Sequence, residues 1–236
     1  MDEKWFQEIQ NRVKKIPVSS GHSDKFEKIS FDDLVFVPAQ LAKKPVDYYR
    51  EEIGTKTIIG KGSKKPIVIS TPIIIGAMSF GALSLEAKTA LAKASTIAGT
   101  IENTGEGGML PEEREFAKYL IIQYSTGRFG ITEEILKKAD AIEIKIGQGA
   151  KGGMGGYLPG EKVTEEIAQI RKKETGKDIH SPAYHPDIRD IEDLRKKVEW
   201  LKGLTAGVPI ILKLAAGDIE NDFKFAVEAN PDIIAI

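Results

Sequence analysis

The stretch Pro66–Glu86 constrains the fold most, because a β-branched run is followed at once by a glycine-bounded turn and a helix. Its sequence is PIVISTPIIIGAMSFGALSLE. The run Ile67–Ile75 is long and apolar enough for a buried strand, as is typical of parallel sheets. The small residues Gly76, Ala77 and Gly81 allow a ligand to approach backbone N–H groups. Ligands of α/β proteins bind at the carboxyl ends of such strands, so this turn is predicted to be a ligand site.

The same strand–loop–helix unit recurs along the rest of the chain. Further strands are predicted over Thr100–Asn103, Tyr119–Tyr124, Ala141–Ile146, Pro209–Leu214 and Asp232–Ile236, and helix caps at Ser84, Thr132, Thr164 and Asp190. The connections are long enough for parallel pairing. No Gly-x-Gly-x-x-Gly follows the first strand, which disfavours a dinucleotide-binding sheet. We therefore predict an α/β fold of the (β/α)8 TIM-barrel type, incomplete, with about six of the eight strands.

Three segments are predicted. Residues 1–30 form an N-terminal helix and linker, residues 31–65 a lead-in segment that packs on the barrel, and residues 66–236 the partial barrel. The last predicted strand coincides with the end of the sequence, which would leave an apolar sheet edge open. We therefore expect the remaining strands of the barrel to be supplied by polypeptide beyond Ile236.

Composition excludes several classes of function. The 34 Lys and Arg residues balance the 35 Asp and Glu residues, so the chain lacks the basic footprint of a nucleic-acid-binding protein. No apolar run approaches the roughly 20 residues of a membrane helix, and the polar start does not resemble a secretory signal. The absence of cysteine excludes disulfides, a thiolate nucleophile and an iron–sulfur cluster held by these residues. A cytoplasmic location is the expectation.

Two lysines alternate with apolar residues inside predicted strands. Lys213 lies in IILKLA and Lys145 in EIKIG, so both are expected to face the barrel interior or its open end. A lysine there is costly unless it meets an anion, which favours a cation that stabilises negative charge on a ligand. The alternatives are a solvent-facing edge lysine and, for Lys145, an internal ion pair with Glu143.

Polar side chains that could recognise a ligand lie at or just past the ends of the predicted strands. They are Asn103, Gln123, Arg128 and Gln148. Amides can read the edge of a heterocycle, and arginine can bind a carboxylate with two hydrogen bonds. Their equivalent positions in successive units favour a shared site.

The loop Gly147–Gly160 is rich in glycine and carries Lys151, which is typical either of an anion cradle or of a flexible lid. It lacks the Gly-Lys-Ser/Thr of a Walker loop. Glu106, between glycines, could be an acid, a metal ligand or a solvated loop tip. His180 and His185 lack the spacing of a recognised metal site, so structural roles are expected for both.

Several strings, in this order and spacing, closely resemble the FMN-binding synthase domain of the archaeal-type glutamate synthase large subunit. They are GAMSFGALSLEAKTALA, ENTGEGG, STGRFG, IEIKIGQGAKGGMGGYLPGEKV, SPAYHPDIRDIEDL and ILKLAAG. The resemblance covers about Phe31 to Ile236. That family adopts a (β/α)8 barrel and uses reduced FMN to convert 2-oxoglutarate and ammonia, through 2-iminoglutarate, to glutamate.

The resemblance implies roles for individual residues. It implies catalytic roles for Lys213, Lys151 and Glu106. It implies that the cofactor is bound by Ala77, Met78, Ser79, Asn103, Gln123, Lys145 and Lys213. It implies that the substrate is bound by Gln148, Lys151 and Arg128. In this scheme Lys213 offsets the negative charge that collects on the reduced flavin. No metal is expected to be bound by these residues.

The resemblance also implies partners. In the family, the FMN phosphate and a 3Fe-4S cluster are held by segments that would lie beyond Ile236, so activity is expected only when those segments are supplied. A glutaminase domain or subunit would provide ammonia, and ferredoxin or an NAD(P)H-oxidising subunit would provide electrons. Two alternatives remain open: another FMN-dependent barrel oxidoreductase, such as a 2-hydroxy-acid oxidase or an isomerase, and a non-catalytic half-barrel.

Overall fold

The computed structural model describes residues 39–147 and 153–236, together with Gln7, Gln10, Lys14, 31–33, Val35 and Val37. The chain divides into two compact units, Met1–Ile53 and Gly54–Ile236. In the first unit, Phe31–Asp33 forms one 3-10 turn. The domain boundaries given above at residues 30 and 65 remain predictions.

The second unit contains the strands and helices that position the site. In chain order the strands are β1 (Thr57–Ile59), β2 (Ile67–Ile69), β3 (Glu102–Asn103), β4 (Leu120–Tyr124), β5 (Ala141–Lys145), β6 (Tyr157–Leu158), β7 (Ile179–His180), β8 (Ile210–Lys213) and β9 (Ile233–Ala235). The helices are α1 (Leu85–Ile97), α2 (Pro111–Phe116), α3 (Glu133–Leu136), α4 (Glu165–Arg171), α5 (Ile191–Leu204) and α6 (Ile219–Glu228).

Five strands form one parallel sheet in the order β3-β4-β5-β8-β9. The order follows the chain without reversal, and helices lie in every connection. Doubly wound sheets reverse their strand order at a switch point, whereas a barrel does not. The predicted fold class, an incomplete (β/α)8 barrel, is therefore confirmed, and the sheet is not closed in the described part of the chain.

The prediction of one parallel strand over Ile67–Ile75 is wrong. Only Ile67–Ile69 is a strand, and it pairs antiparallel with β1. The chain bends after it, and Pro72 has no N–H to donate to a ladder, so the apolar run is divided there. Its second half contacts the residue before β3, because the Ile75 N–H donates to the Ile101 carbonyl at 3.0 Å. The parallel sheet consequently has five strands instead of about six.

The predicted helix caps are confirmed. The side chains of Ser84, Thr132, Thr164 and Asp190 each accept a hydrogen bond from the backbone N–H three residues later. These bonds satisfy donors that have no partner within the helix. His180 belongs to β7, which pairs antiparallel with β6.

Side-chain alternation gives the sheet two buried faces. One face packs on the helices and contributes Ile122, Ile142, Ile144, Ile210 and Leu212 to the largest core cluster. The other face contributes a second cluster, Ile101, Ile121, Ala141 and Ile211, which is joined by Ile67 and Ile69 of β2. On this inner face the next residues toward the carboxyl ends are polar. The β1–β2 hairpin therefore covers the apolar part of the inner face and leaves its polar end open.

No helix in the described ranges is long and apolar enough to cross a membrane.

A fully buried ion cluster joins α1, α2 and β3. The Lys88 ammonium lies 2.6 Å from Glu113 Oε1 and 3.3 Å from Glu102 Oε1, and it donates to the Asn103 carbonyl at 3.2 Å. All three charged side chains are 0% exposed. Burial raises the pKa of Glu102 to about 7, which the Lys88 ammonium opposes and the Glu113 carboxylate reinforces. Two carboxylates sharing one ammonium out of water favour the uptake of a proton.

We expect this cluster to make stability depend on pH. The folded-state pKa of Glu102, about 7, exceeds the ordinary value of 4.5, so the folded chain binds more protons between these values. The contribution of Glu102 to the free energy of unfolding should therefore fall as pH rises from about 4.5 to 7. Glu102→Gln should remove this contribution and raise the free energy of unfolding at pH 8 by about 2 kcal/mol, while the contribution of Glu113, whose pKa burial also raises, remains.

Urea unfolding at several pH values measures this effect. Glu115→Gln, on the exposed side of α2, is the matched control and should keep the wild-type slope. If the free energy of unfolding of Glu102→Gln changes with pH as steeply as that of the wild type, the Glu102 carboxyl is not the source of the pH dependence.

Candidate functional site

A cleft of about 270 Å³ opens at the carboxyl ends of the parallel strands. Its lining residues come from the turn after residue 76, the loop after β3 and the ends of β4, β5 and β8: Ala77, Met78, Ser79, Ala82, Leu83, Gly105, Glu106, Gln123, Lys145 and Lys213. Seven of the residues that the sequence predicted for the site are among them, namely Ala77, Met78, Ser79, Glu106, Gln123, Lys145 and Lys213. The predicted convergence of strand-end loops is therefore observed.

Strand register brings the polar residues of the inner face together. Gln123 of β4 is paired with Glu143 of β5, and Lys145 of β5 with Lys213 of β8. Residues two apart on a strand share a face, so Glu143 and Lys145 both point to the inner side. The order of the sheet thus places an amide, a carboxylate and two ammonium groups at one edge.

Glu143 is the central acceptor of this group. Gln123 Nε2 donates to Glu143 Oε1 at 2.6 Å, and Lys213 Nζ lies 3.8 Å from the same oxygen. A carboxylate only accepts hydrogen bonds, so the amide nitrogen of Gln123 must face Glu143. Glu143 is 5% exposed, and the Lys213 side chain is 36% exposed toward the cleft. Glu143 therefore orients both groups that the sequence predicted to read a cofactor edge.

Lys145 has a different partner from the one considered in the sequence. Its Nζ donates to Glu106 Oε2 at 3.2 Å, while Glu143 pairs with Lys213. The internal Lys145–Glu143 pair is thus not formed. Glu106 lies in the 3-10 turn Gly105–Gly107 and is held over the cleft by the loop that follows β3. The two lysines of the cleft are therefore each matched with a separate carboxylate.

The loop after β3 packs directly against the turn that follows residue 76. Gly105 has φ +66°, and a Cβ there would lie 2.6 Å from the Ser79 backbone nitrogen. Asn103 Oδ1 accepts the Gly105 N–H at 2.9 Å, and Thr104 Oγ1 accepts the Gln123 N–H at 3.1 Å. Asn103 is buried behind the cleft and does not line it. Its role in cofactor binding therefore stays a prediction. In the structure, the Asn103 side chain contacts the loop that follows β3.

Arg128 also lies outside the cleft lining. Its guanidinium stacks 3.7 Å above the Tyr124 ring, and Nη2 pairs with Asp187 Oδ1 at 2.7 Å. Its Nη1 lies 2.7 Å from His185 Nδ1. Substrate binding by Arg128 stays a prediction, and the observed contacts hold the loop that precedes α5.

Gln148 and Lys151 lie outside the described residues, so their roles remain predictions. The described end of the same glycine-rich loop packs close to the site. The Gly156 N–H donates to Ser181 Oγ at 2.5 Å, and a Cβ on Gly156 would collide with Glu106 Oε1. Glycine at position 156 therefore lets the loop approach the cleft carboxylate.

The sequence reasoning missed Arg171. This α4 residue is 4% exposed, and its Nη2 donates to the Phe80 carbonyl at 2.6 Å and lies 3.4 Å from Ser79 Oγ. Its Nε has no hydrogen-bond partner, and no carboxylate among the described residues forms an ion pair with it. Burial lowers the pKa of Arg171, and the charge of Glu106 opposes this. Helical spacing was the available signal, since Arg171 follows buried Ile167 by four residues.

The two histidines in this region have the structural contacts that were expected of them. His180 stacks on Tyr157 with ring centroids 4.7 Å apart, and His185 is buried with both ring nitrogens engaged. Across the ranges that the structure describes, no group of three or more His, Asp or Glu side chains could hold a metal ion.

The close approach of Gly105 to Ser79 generates a prediction. Gly105→Ala should lower the free energy of unfolding by about 2–4 kcal/mol, because the new Cβ meets backbone and the left-handed conformation disfavours alanine. Gly203→Ala in α5 is the matched control, since nothing lies within 4 Å of its Cβ. That change should raise stability by up to about 1 kcal/mol. Urea unfolding of both variants measures the difference, and equal effects would contradict the packing described.

Comparison with known proteins supports one family. Residues 3–236 match the family described as "Conserved region in glutamate synthase". A glutamate synthase large subunit-like protein of Rhizobium meliloti is 40% identical over 218 residues, covering 92% of this chain and 49% of that protein. An archaeal glutamate synthase [NADPH] of Methanocaldococcus jannaschii is 40% identical over 238 residues, covering 89% and 47%. The chain thus spans about half the length of the curated relatives it matches.

Among solved structures, a mandelate oxidase mutant with the monooxide FMN adduct matches with a TM-score of 0.48 and 16% identity. That match covers 77% of this chain and 50% of the other. The match to the family extends over nearly the whole sequence and includes each of the segments that line the cleft. The chain belongs to the glutamate synthase family.

Proposed function

We propose that the cleft binds FMN and that the chain is part of a glutamate synthase. This enzyme converts 2-oxoglutarate and ammonia, through 2-iminoglutarate, to L-glutamate. One observation carries the proposal: the Lys213 ammonium and the Gln123 amide, both fixed by Glu143, face the Ala77–Ser79 turn across one cleft. Because the chain spans about half of its relatives, we propose that catalysis also requires a polypeptide that supplies the rest of the barrel.

The residues of the cleft fit the ring system of FMN. The turn offers small side chains and backbone at Ala77 and Ser79, which suit close approach to a flat ring. Across the cleft, an amide can hydrogen-bond a heterocycle edge, and an ammonium can offset negative charge on it. When bound, FMN would supply the hydride that reduces the imine. We assign no phosphate ligand within the described residues and propose that the complementing polypeptide provides it, together with a 3Fe-4S cluster.

The charge balance of the site favours an anionic substrate. Among the residues that the structure describes, three cations, Lys145, Lys213 and Arg171, lie in or directly behind the cleft with two carboxylates, Glu106 and Glu143, so these five side chains carry one net positive charge. Arg171 donates to the Phe80 carbonyl but has no carboxylate among the described residues within ion-pair distance, and a buried guanidinium of this kind is stabilised by a nearby anion. We propose that Arg171 acts through the Ser79 hydroxyl to hold a carboxylate of 2-oxoglutarate. Gln148 and Lys151 remain predicted substrate ligands.

Proton transfer is assigned to the Glu106–Lys145 pair. Formation of the imine moves protons from the attacking nitrogen to the departing oxygen, which leaves as water. Two protons are moved in this way. In each transfer, a carboxylate that is hydrogen-bonded to an ammonium can take a proton from nitrogen while the ammonium gives one to oxygen, and a proton then passes from the carboxyl to the amine. Glu106 Oε2 and Lys145 Nζ lie 3.2 Å apart at the cleft, so we propose Glu106 as the base and Lys145 as the acid.

The proposed partners follow from the reaction. Ammonia would come from a glutaminase domain or subunit. Electrons would come from ferredoxin or an NAD(P)H-oxidising subunit, and the NADPH in the name of the Methanocaldococcus relative supports the nicotinamide. A cytoplasmic location is part of the same proposal.

The test combines this chain with the complementary C-terminal part of the Methanocaldococcus relative. The complex should bind FMN, seen in its visible spectrum, and should form glutamate from 2-oxoglutarate and ammonia with a chemical reductant. Lys213→Met should reduce kcat by about 100-fold, because the cation that stabilises the transition state is removed.

Lys196→Met, an exposed lysine of α5, is the matched control and should retain full activity. A complex without FMN would contradict the proposal. A flavin complex that oxidises a 2-hydroxy acid and does not aminate 2-oxoglutarate would instead identify a different flavin-dependent enzyme.

A further inference from the structure

A polar cluster whose two rings, Tyr124 and His185, are buried lies next to the cleft but does not line it. We call it the His185 cluster; it consists of Tyr124, Arg128, His185, Asp187 and Lys197. Asp187 accepts from Arg128 Nη2 at 2.7 Å and from Lys197 Nζ at 2.7 Å. Arg128 lies over the Tyr124 ring and also donates to the Ser125 carbonyl. The guanidinium is thereby fixed on several sides.

The two neighbours of His185 determine its protonation state. Arg128 Nη1 lies 2.7 Å from His185 Nδ1, and the Lys145 carbonyl oxygen lies 2.7 Å from His185 Nε2. A guanidinium only donates, so Nδ1 must carry the lone pair. A carbonyl only accepts, so Nε2 must carry the hydrogen. The imidazole is therefore neutral and is held as the Nε2–H tautomer.

The carbonyl that His185 binds belongs to a cleft residue. Lys145 is the last residue of β5, and β4 ends at Tyr124, whose register partner is Ile144. The Lys145 carbonyl thus lies one residue past the paired part of β4 and β5. On the other side of β5, the Ile146 N–H still donates to the Lys213 carbonyl at 3.2 Å. The imidazole takes the place that β4 leaves vacant beside Lys145.

We propose that His185 is a positioning residue for Lys145. Its Nε2–H fixes the backbone at the end of β5, which aims the Lys145 ammonium at Glu106, and Arg128 keeps the imidazole in the required tautomer. The consequence for catalysis rests on the proposed function, whereas the placement of Lys145 can be tested without flavin. This assigns Arg128 and His185 a joint role apart from substrate contact.

The environment keeps His185 neutral over a wide pH range. Burial lowers the pKa of His185 to about 4; the Arg128 charge and, more weakly, Lys197 act in the same direction, and the Lys145 carbonyl and Asp187 oppose them. The ordinary pKa is 6.5, so the unfolded chain binds this proton first as pH falls. The contribution of His185 to the free energy of unfolding should decrease as pH falls from about 6.5 to 4, opposite in sign to the contribution of Glu102, and the positioning contact should persist at neutral pH.

The first experiment uses ¹⁵N-histidine NMR of the intact chain. The chain has three histidines, His22, His180 and His185, and substitution of His180 and His185 in turn assigns the signals. The His185 signals should show the Nε2–H tautomer without titration between pH 8 and 5. An Nδ1–H tautomer, or titration near pH 6.5, would overturn the proposal. This measurement requires no variant of His185 beyond the one used for assignment.

The second experiment separates the two hydrogen bonds. Glutamine keeps an N–H donor near the Nε2 position, and asparagine keeps an acceptor near the Nδ1 position. The protein is labelled with ¹³C-lysine, and the Lys145→Arg variant assigns the Lys145 signal. His185→Gln should leave the chemical shift of the Lys145 side chain close to the wild-type value. His185→Asn should displace it, and His180→Gln, at the stacked histidine, should not. Equal displacement by both His185 variants, or none by either, would overturn the proposal.

The flavin readout keeps this proposal distinct from the proposed function. In the complemented complex, His185→Asn should lower kcat about 10-fold with a smaller change in KM, and His185→Gln should restore most of it. If the wild-type complex binds no FMN, the proposed function is wrong. The His185 tautomer and the Lys145 chemical shift would still test whether His185 positions Lys145. If the NMR results hold but kcat is unchanged in the Asn variant, the catalytic consequence is refuted.

Discussion

The structure depends on a sheet that is buried on both faces. Its inner face is apolar at Ile101, Ile121 and Ile211, and it has room for polar side chains only where the strands end. Charged groups that face inward are expensive unless each meets an opposite charge. Charged side chains at the carboxyl ends of β4, β5 and β8 therefore have a smaller desolvation cost than they would have deeper in the sheet, and they can still contact a ligand.

The cleft meets this requirement with paired charges and one exception. Glu143 binds Gln123 and Lys213, and Glu106 binds Lys145, so these ammonium groups are held in place before any ligand arrives. Groups fixed in advance need little reorganisation when charge develops on a bound molecule. Arg171 is the exception, since its guanidinium contacts the Phe80 carbonyl, the Ser79 hydroxyl and the Phe129 ring but forms no ion pair with a carboxylate of the described residues. This imbalance supports the proposal that the cleft binds an anionic substrate.

Buried polar groups behind the cleft hold its loops in position. Lys88 donates to the Asn103 carbonyl, Asn103 accepts from Gly105, and Gly105 packs on the Ser79 backbone. On the opposite side, the His185 cluster joins the segment before α5 to the end of β5. Both arrangements act through backbone groups of cleft loops, so changes far from the cleft can alter its geometry. The cleft and its supports therefore form one connected unit within Gly54–Ile236.

The sequence by itself determined the local features and the convergence of strand ends. Apolar runs, caps such as Ser84 and the alternation of Lys213 with isoleucine and leucine depend on neighbours in the chain, which sequence periodicity records. Only the tertiary structure decided which charges meet. Lys145 pairs with Glu106 instead of Glu143, Arg128 binds Asp187, and Arg171 reaches Ser79 from a helix 92 residues away. Strand order and register decide which charged residues that are distant in sequence become ion-pair partners. The residues next to each charge in the chain do not determine that order or register.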